Sequence, residues 1–115
     1  MRVTSELWIS AAVRRAFSAG GFATILRRGG AAAGAIMIVR RDRLGEATLY
    51  GPAPQSHYVE ARPEERHFVE FVREGEPVAI ATRLERETRF DPDLWVVEFE
   101  IDEQQFLEIV SVTTP

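Results

Sequence analysis

Four carboxylates lie close together in one stretch of this chain: Asp91 and Asp93 flank a proline, and Glu98 and Glu100 follow on a segment that alternates like a strand. On an extended backbone Glu98 and Glu100 share a face about 7 Å apart. A few carboxylates with retained waters could hold Mg²⁺, as in a small phosphoesterase or nuclease-like enzyme. The competing reading is an Asp-Pro turn followed by solvated strand glutamates. Common nuclease sites also add a lysine to their acids, and all fourteen basic residues of this chain are arginine.

A second chemistry belongs to those arginines. Arg27, Arg28, Arg40, Arg41 and Arg43 fall in or beside expected loops and could grip an anion or an acidic partner. Gly29-Gly30 and Gly34 next to Arg27 and Arg28 suggest a phosphate cradle. However, the segment that follows, Ile36 to Val39, reads as a strand, so no helix N-terminus is there to hold an anion and the glycines read better as turn formers. Nucleic-acid binding is a further alternative, with Trp8, Phe22 and Tyr50 near the arginines in sequence. The acidic pI of about 5.2 argues against it, and so does the fact that adjacent arginines on a strand point to opposite faces.

Histidine chemistry is thin. Glu64, His67 and Glu70 have the Glu-x-x-His spacing of a helical di-iron ligand set, but such a centre needs a second copy that the chain lacks. Ser56 and His57 are neighbours whose side chains diverge on an extended chain, so they do not make a nucleophile and base. The absence of cysteine excludes disulfides and thiolate sites, and the absence of lysine excludes a Walker A loop and Schiff-base catalysis. No cofactor is expected.

The elements that would position these groups follow from periodicity. Residues 4 to 19 read as a helix with Trp8, Ile9, Ala12, Val13, Ala16 and Phe17 on one stripe, capped by Thr4 and stopped by Gly20-Gly21. Residues 22–28 and 35–41 read as strands joined as a hairpin, the second apolar on both faces and therefore interior. A third strand spans 46–50 and is ended by Gly51-Pro52. Residues 66–73 fit either period and lean to strand on aromatic and β-branched content. Pro77 begins a helix through Arg89, with Pro77, Ile80, Ala81 and Leu84 facing inward. Residues 94–101 make the clearest strand. Asp102 with Gln105 resembles a capping box for a short last helix, and the tail after Ser111 should fray.

Three passages together resemble a small bacterial family known as domain of unknown function 1491: Val3 to Trp8 through Arg14-Arg15, Leu49-Tyr50-Gly51-Pro52, and Arg89 to Glu98. The resemblance spans nearly the whole chain. It implies a stand-alone bacterial domain and carries over no catalytic residue.

Charge is unevenly distributed: Met1 to Arg43 sums to +6 and Leu44 to Pro115 to −10. Such a split points to two complementary surfaces or to an acidic partner for the first half. The longest apolar run, Ala31 to Val39, is too short to span a bilayer, so no membrane role and a cytoplasmic location are expected. The expected architecture is a single α+β domain over residues 1–115, an antiparallel or mixed sheet of four or five strands with two main helices on one face. The expected function is a non-enzymatic module engaging an unknown acidic protein partner, or a second copy of itself, through arginine-bearing loops.

Overall fold

Ile36, Met37, Ile38 and Val39 are all buried, which an edge strand could not achieve. They belong to β2 (Ile36–Arg41) of a computed structural model that describes residues 3–54 and 66–114, the side chain of Glu74 excepted. The remaining elements are α1 (Ser5–Ser18), β1 (Phe22–Arg27), β3 (Ala47–Pro52), β4 (His67–Gly75), α2 (Pro77–Phe90), β5 (Trp95–Glu100), α3 (Glu103–Ile109) and β6 (Ser111–Val112). The strands form one mixed sheet in the order β1-β5-β2-β3-β4-β6.

This corrects the sequence expectation: among the described residues the sheet has six strands and there are three helices, not four or five strands with two main helices. β1 and β2 do not form a hairpin. β5 inserts between them, antiparallel to β1 and parallel to β2. β2 thus lies between β5 and β3, and the strand taken for its hairpin partner is one position further out. The tail does not simply fray, because Ser111 and Val112 pair in parallel with His67 and Phe68 of β4. Pro52 does not end β3 early either; it remains in register with Phe68, where its missing N–H is tolerated. Irregular pairing between Ile25 and Arg27 places a bulge at Leu26 on the outermost strand.

The helices also lie on opposite faces rather than one. α1 and α3 cover a core of Ile9, Ala12, Ala16, Trp95, Val97, Phe99 and Phe106. α2 covers the other face through Ile80 and Leu84, against Met37, Val39, Leu49 and Val96. The cause is topological. β4, β5 and β6 all run in the same direction, and α2 carries the chain inward from β4 to β5 while α3 carries it back out to β6. Right-handed crossovers in opposite directions across a sheet must occupy opposite faces. Pro77 and Ala81, expected to face inward, are exposed on the solvent side of α2.

Local signals behave as the residues dictate. The Thr4 hydroxyl accepts the Leu7 N–H at 3.2 Å, and Gly20 leaves α1 at a φ of +86°, which only glycine adopts freely. Asp102 accepts the Gln105 N–H at 2.8 Å, capping α3. The Gln105 side chain does not reach back to complete a capping box but donates to Ala19 O at 3.1 Å, tying α3 to the end of α1. Among the described residues no helix is long and apolar enough to cross a membrane.

Candidate functional site

The carboxyl ends of β2 and β5 lie side by side, and the chain turns away from both. Beyond parallel strand ends of this kind an open sheet leaves a crevice. Here it is a cleft of about 600 Å³ bounded by three segments: Gly20 to Phe22 after α1, Arg40 to Leu44 at the β2–β3 turn, and Glu100 to Glu103 with Gln105 at the start of α3. The sequence brings arginines here because β2 ends in Arg40-Arg41 and its hairpin turn adds Arg43.

The three arginines differ in setting. Arg40 is 6% exposed, with its guanidinium 6.0 Å from the Phe106 ring centroid. It donates to Ile101 O at 3.4 Å and to Glu103 Oε2 at 3.5 Å, while its Nε–H makes no hydrogen bond. Arg41, on the opposite face of the strand, donates through Nε to Glu98 Oε1 at 2.8 Å. Arg43 is exposed at the turn, with no ion pair or hydrogen bond among the described residues. Leu44 beside it is 84% exposed.

The acids of the cleft are largely committed to the fold. Asp42 Oδ1 accepts the N–H groups of Leu44 and Glu46 at 2.9 and 3.1 Å, shaping the turn that Gly45 completes at a φ of +84°. Asp102 caps α3 and Glu103 faces Arg40. Glu100 is exposed. Both signs of charge are present, so the cleft has no strong net field and recognition there must be local.

Tyr50 closes the inner wall behind Arg40, its ring 4.9 Å from that of Phe106. Burial pushes the Tyr50 hydroxyl above its ordinary pKa. A side-chain hydrogen bond from Arg40 and its charge pull the other way, and Glu70 and Glu103 add to the rise.

The arginines singled out in the sequence do not share one rim. Because β1 runs against β2, Arg27 and Arg28 lie at the far end of the sheet from Arg40, Arg41 and Arg43. Arg27 donates to Pro92 O at 3.0 Å, and Arg28 stacks 5.6 Å from the Trp95 ring centroid. The glycines beside them are packing glycines. Gly30 N–H donates to Asp93 O at 2.9 Å, and a Cβ on Gly29 or Gly34 would collide with the Asp93 carbonyl. Gly30 O accepts the Trp95 indole N–H at 2.7 Å. The loop is thus folded onto the start of β5 and presents no ring of free amides.

The four candidate metal carboxylates also divide. Asp91 and Asp93 precede β5, and Asp91 Oδ1 accepts the Asp93 N–H at 3.0 Å to make the turn. Glu98 and Glu100 lie toward its other end, roughly 16 and 23 Å of extended chain beyond Asp93. Among the described residues no three histidines or acids come together as a metal site. His67 is a strand residue whose Nδ1 lies 3.0 Å from Ser111 Oγ, a contact that sequence reasoning missed because β6 was not foreseen. Glu64, Ser56 and His57 lie outside the described residues.

A family model described as Protein of unknown function (DUF1491) matches residues 3–108. The solution structure of protein Atu0922 from A. tumefaciens is similar at 45% identity and a TM-score of 0.85, covering 100% of this chain and 98% of that one. The crystal structure of a DUF1491 family protein from Caulobacter crescentus is similar at 35% identity and a TM-score of 0.79, covering 96% and 99%. An NMR structure of a DUF1491 family protein from the same organism aligns at 34% identity with a TM-score of 0.79, covering 99% of each chain. No curated protein matches the chain.

Proposed function

This chain belongs to the DUF1491 family, and we propose that it is a non-enzymatic interaction module whose carboxyl-end cleft engages an acidic segment of a partner protein. The observation that carries this reading is the grouping of Arg40, Arg41 and Arg43 around one cleft, with the Arg43 charge uncompensated beside the exposed Leu44. An arginine free of internal partners gives up no existing bond when it meets a carboxylate, and a neighbouring leucine supplies apolar contact. The mixed charge of the cleft and the net charge of −4 disfavour a polyanion and favour a peptide with few, spaced acids.

A capped Gly-Glu-Gly-Glu-Gly peptide titrated into ¹⁵N-labelled protein at low salt tests the proposal. Amide shifts should concentrate in residues 40–44. Affinity should fall about threefold in Arg43→Glu, the scale of one exposed ion pair, and should weaken as salt is raised. A titration that moves no resonance at low salt would remove the reading.

A further inference from the structure

We infer that Arg40 is the carboxylate receptor of the cleft and that Glu103 is an internal stand-in for the carboxylate of the ligand. This rests on the reading of the cleft given above. A buried guanidinium is normally held by short, well-directed hydrogen bonds, because a desolvated charge without them is costly. Arg40 is 6% exposed, yet its hydrogen bonds to Ile101 O and Glu103 Oε2 measure 3.4 and 3.5 Å, beyond the usual range, and among the described residues its Nε–H has no acceptor. The Tyr50 hydroxyl also accepts from it, but no carboxylate among the described residues pairs with the buried cation at an ordinary distance.

The geometry also supplies a route. Glu103 is 54% exposed, so the one carboxylate that touches Arg40 among the described residues approaches from the solvent side. A ligand carboxylate entering the cleft can take the same approach, displace Glu103 and accept from the guanidinium at ordinary distances. Phe106 and Tyr50 wall the guanidinium on the inner side and keep it in place for the exchange. The ligand class is therefore an aspartate or glutamate side chain of an acidic segment, and Glu103 sets the threshold an incoming group must exceed.

Arg40 is too deeply packed to replace cleanly, so the test varies Glu103. The same peptide is titrated into wild type, Glu103→Gln and Glu108→Gln, the last removing an equal charge from α3 outside the cleft. Glu103→Gln should bind about five- to tenfold more tightly, the scale of a charge-assisted hydrogen bond, with Glu108→Gln within about twofold of wild type. The Arg40 Nε–Hε resonance should shift on binding. Binding by Glu103→Gln alone overturns the proposed function, because the wild-type cleft then takes no ligand, but supports Glu103 as the group that occupies Arg40. If wild type binds and Arg43→Glu weakens it, but Glu103→Gln is no tighter than Glu108→Gln, this inference fails and the proposed function stands. If neither wild type nor Glu103→Gln binds, both fall.

Discussion

Arg40 and Tyr50 meet where β2 and β3 reach the cleft, and their coupling has a pH consequence. The Tyr50 hydroxyl is raised above its ordinary value of 10.0, chiefly by burial. The unfolded chain therefore loses this proton first, while the folded chain still holds it. Protons bound in excess by the folded state mean that stability falls as pH rises. The contribution is intact below the ordinary tyrosine pKa and is lost as pH climbs through the folded value. Urea denaturation should show midpoints declining from about pH 9.5 upward, and Tyr50→Phe should flatten that decline. A wild-type midpoint unchanged up to about pH 11 would contradict the burial described for this hydroxyl.

Among the elements, α2 is the one whose placement the sequence described least well. Its existence was plain from Pro77 and the helical spacing, and the helix runs to Phe90, one residue past the expected Arg89. Its inward face was drawn too broadly, because small and apolar residues at helical spacing look alike whether or not a sheet lies beneath them. Only Ile80 is fully buried, with Leu84 packed beside it. Ile80→Ala should cost about 2–4 kcal/mol, as for other buried aliphatic truncations, while Ala81→Glu should change stability by less than about 0.5 kcal/mol. Thermal or chemical denaturation of the two variants checks this, and equal losses would place Ala81 in the core. On the same helix Arg83 pairs with Glu87 at 2.9 Å, the i,i+4 spacing that brings two helical side chains together.

At the scale of the molecule, local pattern revealed the strands but not their neighbours. Residues 22–28, 35–41, 66–73 and 94–101 each contain all or most of a strand of the sheet, since alternation and β-branched content are written in the segment itself. Strand order is a long-range property. The glycine loop after β1 looked like a hairpin turn, but its glycines serve close approach to Asp93, and β5, distant in sequence, separates β1 from β2. One clue was available, because residues 94–97 are as apolar on both faces as residues 36–39, and two such strands seek each other. The same long-range order splits the arginines: pairs that look equivalent along the chain end up at opposite ends of the sheet once β1 and β2 run in opposite directions. The cleft itself had no sequence signature, because it is made where three distant turns converge.

The bulge at Leu26 has a consequence for how copies of this protein meet. β1 is the long outer margin of the sheet, with Phe22 and Leu26 61% and 51% exposed, and it carries neither proline nor lysine to deter a second strand. One surplus residue breaks the rhythm of its outward amides, so a neighbouring molecule finds no continuous ladder to extend. Deleting Leu26 would restore that rhythm. Light scattering should then show concentration-dependent growth into large particles, at concentrations where the intact chain stays dispersed.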